Sequence, residues 1–293
     1  MFLPLSHHVA ALALVAADVA IRAVRLRVLA PGTTLTLRQA IVINAYGDAA
    51  SAVTPARAGG DPARFLGFLR AGVPGPRALA ALAVETLTDW ALLVAGAAVL
   101  LAVWGDTAAA GARRLAALAA TPHARLLVAG VLALAVASVV LLRWYRRRLP
   151  RGFTASVADA WRAARGLGWR GVSGAGALTA LSMVARTAIL PVLAAGLPGL
   201  DPGAVAVGSF ALLYGQLVLP TPAGAGGVEL GFIGGFGTLA PPVLAELLVA
   251  WRIYTLILGA GLGALLLARA ALLRRATSAP YKPNSSVNVR SQL

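Results

Sequence analysis

The sequence contains no cysteine, only three histidines and only ten acidic residues among 293. Without cysteine the chain has no disulfide and no thiol chemistry, although this absence does not identify its compartment. His7, His8 and His123 do not fall at a metal-ligand spacing with one another or with carboxylates, so we predict no metal site. The chain also lacks a P-loop, a nucleophile elbow and a dinucleotide-binding fingerprint, and we therefore predict no cofactor.

Apolar residues make up 59% of the chain and charged residues only 12%. Soluble domains are about half apolar and about a quarter charged, so these proportions indicate a membrane protein. Four apolar stretches are each long enough to cross a hydrocarbon core of about 30 Å. They span residues 80–104, 123–142, 172–198 and 243–268. The sequence therefore predicts an all-α, polytopic membrane protein.

The two ends of the chain differ from this apolar core. Asp18 and Arg22 interrupt the apolar run near the N-terminus, so we interpret 5–21 as a first membrane helix and not as a cleaved signal peptide. The last residues are polar and have nothing to bury, which predicts disorder. We therefore predict one transmembrane domain over residues 1–275 and a disordered cytoplasmic tail over residues 276–293.

The formal net charge is +16. In a membrane protein, basic residues collect in cytoplasmic loops, so we interpret the excess as a topology signal and predict no nucleic-acid binding. Most lysines and arginines fall in four segments, at 22–38, 57–77, 143–170 and from 269 onward. This distribution predicts that these four segments, including the C-terminal tail, are cytoplasmic.

One Pro/Gly-rich phrase occurs twice, as TPARAGGD at 54–61 and as TPAGAGGVE at 221–229. Six of the first seven positions are identical, and only Arg57 against Gly224 differs. The same offset of 167 residues pairs the other apolar segments and predicts two repeats with a connector helix between them. The repeats span about 5–104 and 172–271, and the connector spans 123–142. Broken apolar segments at corresponding positions of two halves are typical of a transport site.

The predicted topology inverts the second half relative to the first. Segments 22–38 and 57–77 both lie in the cytoplasm only if the chain between them enters the membrane and returns. Each phrase then forms the tip of a re-entrant hairpin, one from each side of the membrane, beside a polar cavity. Alternatively, 39–53 and 204–219 cross as kinked helices and the phrases are interfacial loops. A helix of the length of 39–53 spans only ~22 Å, however, which favours the re-entrant arrangement.

Charged residues also occur inside the predicted membrane segments. The acids are Asp18, Asp48, Glu85, Asp89, Glu229 and Glu246, and the arginines are Arg186 and Arg252. An ionised side chain at the bilayer centre costs at least ~2.5–3.5 kcal/mol, so we expect these groups to pair or to line a pathway. The offset makes Glu85 equivalent to Arg252, and it places Asp18 one residue from the equivalent of the other arginine. We therefore predict that these two acids face the two arginines.

The candidate site combines these charges with the two phrases. As candidate binding residues for an anion we select Arg57, Arg186, Arg252, Asn44, Gly59, Gly60, Gly226 and Gly227. Arginine offers a planar fork for phosphate, and glycines let backbone N–H groups approach an anion at a helix N-terminus. Candidate coupling or ion-pair residues are Asp18, Asp48, Glu85, Asp89 and Glu229. Alternatively, the charges form a static network that only fixes helix packing.

The order of these residues resembles a known family. Along the chain it runs Asn44, Pro55, Gly59, Gly60, Asp61, Arg70, Gly72, Glu85 and Asp89, then the phrase ending at Glu229, and then Arg252. This order resembles the flippase-like family, also called the lysylphosphatidylglycerol synthase transmembrane region, over about residues 10–270. Thr86 stands where that family usually has an arginine, and the late phrase carries one extra residue.

The resemblance implies an integral protein of the bacterial inner membrane that moves a lipid or lipid-linked precursor between leaflets. In the best-known members the lipid is an aminoacylated phosphatidylglycerol made by a separate soluble domain. This chain has no room for that domain, so we do not predict a synthase. As partners we expect membrane lipids with an anionic head group, and a lipid-synthesis enzyme and a second copy of the chain stay open.

Two alternatives to a transporter follow from the same sequence. One is a membrane enzyme or accessory subunit in the synthesis of a lipid-linked glycan, a hopanoid or an aminoacyl-phospholipid. Such an enzyme needs paired carboxylates near the membrane surface, whereas Glu85 and Asp89 are predicted to lie deep in the membrane. The other is a scaffold for a lipid-synthesis complex, in which the intramembrane charges have no transport role.

Overall fold

The computed structural model of the chain describes residues 3–119, 152–217, 219 and 221–277. Every regular element in these ranges is helical, and strand pairing there is confined to one isolated bridge. The elements are α1 (Leu5–Leu29), α2 (Leu37–Val53), α3 (Gly60–Arg70), α4 (Gly75–Ala119), α5 (Gly152–Gly166), α6 (Gly168–Ala194), α7 (Pro202–Gly215), α8 (Gly227–Phe236), α9 (Pro241–Arg252), a π-helical segment (Ile253–Ile257) and α10 (Leu258–Thr277). The predicted all-α class is confirmed. The predicted connector at 123–142 and the predicted tail beyond Thr277 lie outside the described residues.

Three described helical stretches are long and apolar enough to cross a membrane: Gly75–Asp106, Gly168–Ala194 and Pro241–Leu273. They confirm three of the four predicted spans. The fourth, the connector at 123–142, lies outside the described residues. The helices on either side of the second phrase, α7 and α8, have only 14 and 10 residues. At about 1.5 Å per residue they reach only about 21 Å and 15 Å, which is too short for a crossing.

Helix α1 is longer than predicted. We predicted a helix at 5–21 and a basic loop over 22–38, but α1 continues to Leu29. The predicted loop is wrong because Arg22 and Arg25 are not solvated loop residues. Both are largely buried and form ion pairs with acids on this and neighbouring helices. Their positive charge therefore reports a buried network and not a cytoplasmic loop.

Local sequence specifies where α2 and α7 begin. The N–H of Gln39 donates to Thr36 Oγ1 over 3.2 Å, and the N–H of Thr36 donates to Gln39 Oε1 over 2.8 Å, which is a capping box. Asp201 caps α7 by accepting a hydrogen bond of 2.7 Å from the N–H of Ala204. Pro202 occupies the first turn of α7, where the missing N–H has no helical partner to lose. Each short helix that leads into a phrase thus starts at a specified residue.

Helices α1 and α6, the first helices of the two predicted halves, pack against each other in opposite directions. Asp18 accepts a hydrogen bond from Ser182, whereas Arg25, two turns later in α1, donates to Thr179, one turn earlier in α6. An antiparallel pair of equivalent helices is what inverted halves require. The inversion of the two halves as a whole stays a prediction.

Each half has its own apolar cluster. Leu26, Ile43 and Phe68 belong to the cluster of the first half, whereas Phe232 and Trp251 belong to that of the second. The N-terminal part of α1 packs into the second cluster and its C-terminal part into the first. Because lipid is as apolar as these side chains, close van der Waals packing holds such helices together in a bilayer. Helix α1 therefore ties the two halves to each other.

Both phrases fold into the same loop. Ala56 and Ala223, which are equivalent positions, have left-handed backbones with φ of 49° and 51°. The helix after each loop begins at the equivalent glycine, Gly60 or Gly227. Two backbone hydrogen bonds also recur, from Arg57 to Thr54 and Ala58 to Pro55 in the first loop, and from Gly224 to Thr221 and Ala225 to Pro222 in the second. The repeated phrase is therefore a repeated structure.

The two loops also contact each other. Pro55 and Pro222, again at equivalent positions, form an isolated antiparallel bridge. The phrases are 167 residues apart in sequence but neighbours in space. The contact brings the broken middle of each half to one place in the molecule.

Helices α2 and α10 approach each other closely because of two glycines. Gly259 and Gly263 are four residues apart and so share one face of α10, a spacing typical of packed membrane helices. A Cβ atom at Gly263 would lie 1.9 Å from the carbonyl oxygen of Ala45, and one at Gly259 would lie 3.1 Å from Asp48 Oδ2. Glycine at 263 is therefore required for α10 to approach the backbone of α2, and Gly259 lies against the side chain of Asp48.

We predict that Gly263→Ala destabilises the protein, because the added methyl group collides with the backbone at Ala45. Overpacking of this kind costs about 1–3 kcal/mol, so the melting temperature in detergent should fall by several degrees. Gly261→Ala is the matched control, because a Cβ atom there meets nothing within 4 Å. Equal melting temperatures for the two variants would contradict the packing of α2 on α10.

Candidate functional site

A cavity of about 370 Å³ lies beside the first loop, between α1, α2, α3, α4, α6 and α7. Among the residues predicted from the sequence, its lining includes Arg57, Arg186, Asp48, Asp89 and Gly60. Three arginines that we did not predict, Arg22, Arg25 and Arg64, complete a set of five in the lining. A volume of a few hundred Å³ is in the range of small-molecule sites. The cavity is therefore large enough for a polar head group.

Arg22 joins α1 to α2. Its Nη1 and Nη2 atoms donate to the two carboxylate oxygens of Asp48 over 2.9 Å and 2.8 Å. Its Nε atom lies 3.1 Å from Asp18 Oδ2, and Ser182 donates to the other oxygen of Asp18 over 2.5 Å. This bidentate geometry is the strongest form of an arginine–carboxylate contact. Arg22 thus binds both oxygens of Asp48 and contacts one oxygen of Asp18, whose other oxygen is bound by Ser182.

Arg25 and Arg64 share Glu85, whose side chain is only 2% exposed. Glu85 Oε1 accepts hydrogen bonds from Nη2 of Arg25 and from Nη2 of Arg64, the latter over 2.5 Å. Arg25 also donates to Asp89 over 2.5 Å and to Thr179 over 2.7 Å. One buried carboxylate therefore connects α1, α3 and α4.

The predicted binding residue Asn44 belongs to this network and not to the cavity lining. Its Oδ1 atom accepts a hydrogen bond of 3.0 Å from Arg64 Nη2, and Asn44 is 2% exposed. Arg64 Nη1 also lies 3.6 Å from Asp61, whose side chain is 57% exposed. Asn44 therefore orients a cavity arginine from behind.

Arg57 and Arg186 differ from the other arginines of the cavity. Within the described residues, neither forms an ion pair with a carboxylate. Arg57 Nη1 donates to Gln216 Oε1 over 3.3 Å, and Arg186 Nη2 donates to the carbonyl oxygen of Thr255 over 3.4 Å. Both acceptors are neutral, so both guanidinium groups keep their positive charge without a direct counter-charge.

The lining of the cavity holds five arginines and three aspartates. The charges balance when Asp18 and Glu85, which contact these arginines from outside the lining, are counted as well. Arg22, Arg25 and Arg64 together contact five carboxylates. Three positive charges therefore face five negative charges in this network. Arg57 and Arg186 supply the two remaining positive charges. The N–H donors of Arg57 contact no carboxylate of the described residues.

The second loop has a separate ion-pair cluster outside the cavity lining. Arg252 Nη2 lies 2.5 Å from Glu229 Oε1, and Arg252 Nη1 donates to the carbonyl oxygen of Ala223 over 2.8 Å. Glu229 Oε2 accepts a hydrogen bond of 2.6 Å from the N–H of Gly226. Arg252 and Glu229 therefore hold the second loop against α9.

The predicted pairing of charges across the two halves is wrong. Glu85 pairs with two arginines of the first half. Arg252 pairs with Glu229, and both of these residues belong to the second half. Asp18 pairs with Arg22, one turn further along the same helix. Equivalent positions of two halves need not be neighbours, and residues one turn apart or on adjoining helices reach each other first.

The predicted glycine amides are also engaged within the loops. The N–H groups of Gly59, Gly60 and Gly226 each have an acceptor in their own loop or in the helix that follows. These acceptors are Thr54 Oγ1 (2.9 Å), the Arg57 carbonyl oxygen (3.2 Å) and Glu229 Oε2 (2.6 Å), respectively. Gly226 and Gly227 belong to the second loop, which the cavity lining does not include. The amides of Gly59, Gly60 and Gly226 thus already have acceptors within the protein.

A helical spacing in the sequence could have revealed part of the missed network. Asp18, Arg22 and Arg25 fall at positions i, i+4 and i+7, which share one face of a helix. A charged face of this kind inside a membrane helix indicates a buried polar site. No comparable signal identifies Arg64, because its partner Glu85 is on another helix.

Comparison with known proteins identifies a family. The model of the family described as "Lysylphosphatidylglycerol synthase TM region" matches residues 3–263 of the chain. No curated protein and no solved structure matches the chain. The matched range includes both loops and every residue that lines the cavity.

We predict that Glu85→Gln destabilises the protein strongly, because it removes the shared charge between two buried guanidinium groups. Breaking one member of a buried ion-pair network costs about 3–5 kcal/mol. Asp159→Asn is the control, since Asp159 pairs with Arg162 on an exposed face of α5, where a pair contributes about 1 kcal/mol or less. Denaturant titration in detergent micelles measures both. A loss for Glu85→Gln no larger than that of the control would contradict a buried network.

Proposed function

This chain belongs to the family of the lysylphosphatidylglycerol synthase transmembrane region, and we propose that it moves a lipid with an anionic head group between the leaflets of the membrane. The head group crosses through the cavity between the two halves while the acyl chains stay in the surrounding lipid. The family itself supports a membrane protein related to lipid handling. The proposal of transport rests on the site.

One observation carries the proposal, namely the missing counter-charges of Arg57 and Arg186. Every other arginine of the cavity contacts a carboxylate, whereas these two contact only neutral oxygens. Arg57 and Arg186 are both partly buried in this cavity. A cation inside a helix bundle without a direct counter-charge favours an anion that arrives from outside. The planar fork of arginine matches a phosphate group. A phospholipid phosphate supplies that anion in a membrane.

The paired acids give the cavity a means of release. Asp89 faces the cavity with 44% of its side chain exposed, and it is held by Arg25. A phosphate on Arg57 and Arg186 lies in the same cavity as these carboxylates and is repelled by them. This repulsion weakens the binding of the head group, and transport requires that the head group be released.

The loops suggest how the cavity reaches both leaflets. In this proposal each loop is the tip of a re-entrant hairpin, and the two hairpins enter from opposite sides. Irregular backbone at membrane depth is tolerated where protein or a watery cavity surrounds it. The bridge between Pro55 and Pro222 and the antiparallel packing of α1 on α6 support this arrangement.

We also propose that the protein resides in the bacterial inner membrane with its C-terminal tail in the cytoplasm. With Arg22, Arg25 and Arg64 assigned to the buried network, other basic residues of the segments 22–38 and 57–77 still support a cytoplasmic location. An enzyme of lipid synthesis is a proposed partner. A soluble catalytic domain is not needed for the transport step.

We predict that Arg57→Gln and Arg186→Gln each lower the rate of lipid translocation about tenfold or more, since each removes charge-assisted hydrogen bonds to the head group. A leaflet-resolved assay of fluorescent phosphatidylglycerol in proteoliposomes measures the rate. Arg162→Gln is the matched control, because Arg162 is exposed on α5 and lies outside the cavity lining. Translocation at the wild-type rate by both cavity variants would remove the proposed site.

A further inference from the structure

Gln216 holds Arg57 from the opposite half of the molecule. It ends α7 and is 4% exposed. Its Nε2 atom donates to the carbonyl oxygen of Leu213 over 2.7 Å, and its Oε1 atom accepts from Arg57 Nη1 over 3.3 Å. Because the amide nitrogen is used by Leu213, the amide oxygen is the atom presented to the arginine. The side chain is thus fixed at both ends.

The one position that differs between the two phrases makes room for this side chain. Gly224 is the equivalent of Arg57, and a Cβ atom there would lie 2.7 Å from the Cβ of Gln216. The backbone alone does not require glycine here, because the equivalent Arg57 has a φ of 58° against 68° at Gly224; the contact with Gln216 is what excludes a side chain. An arginine in the second loop is therefore incompatible with Gln216 where it lies. Because glycine stands at 224 where the first phrase has Arg57, the site has one loop arginine, and Gln216 forms a hydrogen bond with it.

A glutamine suits an anion site in a way that a carboxylate does not. Arg22, Arg25 and Arg64 are each held by acids, which cancel their charge. Gln216 orients the guanidinium group through one of its five N–H donors and leaves the charge and the other donors available. The acceptor of Arg186, a backbone carbonyl, is neutral as well.

We propose that Gln216 is a positioning residue of the anion site, which fixes Arg57 in the cavity without neutralising it. This inference rests on the proposed function, since it assumes that Arg57 binds the head group. It assigns the two loops unequal roles: the first loop supplies Arg57, and the end of α7, which leads into the second loop, supplies the group that aims it. The difference between the phrases thereby places one loop arginine at the site, beside Arg186 of α6.

The test measures binding of dioctanoyl phosphatidylglycerol to the purified full chain in detergent. Gln216→Glu should weaken binding about tenfold or more, because the new carboxylate occupies Arg57 in place of the phosphate. Gln216→Met, which keeps the size but loses the acceptor, should weaken it about threefold, since Arg57 is then free to turn away. Gln39→Glu is the control for the same chemical change, because a capping box accepts glutamate, and its binding should equal that of the wild type.

A double variant separates positioning from a merely structural effect. In the Arg57→Ala background, Gln216→Met should cause no further loss beyond about twofold, since residues that act through one another are not additive. A further loss as large as in the wild-type background would overturn the proposal, because Gln216 would then act by another route. The glutamate variant is not used in this background, because a carboxylate without Arg57 repels the phosphate directly.

The outcomes also distinguish this inference from the proposed function. If Arg57→Ala leaves phosphatidylglycerol binding unchanged, both fail, because the arginine is then not part of a lipid site. If Arg57→Ala weakens binding but both Gln216 variants bind as the wild type does, the positioning role alone fails. Weaker binding in Arg57→Ala and in both Gln216 variants, without additivity, supports the two together.

Discussion

The structure depends on one constraint, which is that an ionised side chain inside an apolar helix bundle needs a partner. Glu85 meets this constraint for two arginines at once and so ties three helices together. Asp48 and Asp18 meet it for Arg22. Arg22, Arg25, Arg64 and Asp48 of this network line the cavity beside the first loop. Arg57 and Arg186 line the same cavity without an ion-pair partner among the described residues, and the proposed function rests on this exception.

The two halves share a backbone plan but exchange their charges. Glu85 and Arg252 are equivalent positions, and each is tied to the short helix that follows the phrase of its own half. The partners are Arg64 on α3 and Glu229 on α8, so the acid and the base have changed places. In each half an ion pair thus joins the long helix to the short helix after the loop, but the acid and the arginine are exchanged between the two helices. Only the first loop then presents a cation to the cavity.

Much of this arrangement follows from the sequence. Long apolar stretches specify the helices, and the phrase at 54–61 and 221–229 specifies two like loops, because proline and glycine at fixed spacing permit few backbones. The repeat could not identify the partner of Glu85 or Arg252, since partners depend on which helices adjoin and not on which positions correspond. The end of α1 was predicted too early, because the sequence alone does not distinguish an arginine in a solvated loop from an arginine in a buried ion pair.

The candidate site was likewise predicted in part. Arg57 and Arg186 stood out because one lies in the phrase and the other inside an apolar helix. That these two have neutral acceptors, while their neighbours have acids, depends on distances between α7, the π-helical segment and the first loop. The glycine amides met the sequence criteria for anion binding, but the loops use those amides for their own hydrogen bonds.

Native mass spectrometry of the protein purified with minimal delipidation measures most directly whether Arg57 and Arg186 hold an anionic lipid. The wild type should retain a phospholipid of net negative charge, and the double variant Arg57→Gln/Arg186→Gln should lose it while keeping its fold. Equal retention of the same lipid by both proteins, or retention of neutral lipids only, would contradict the assignment of the cavity to an anionic head group.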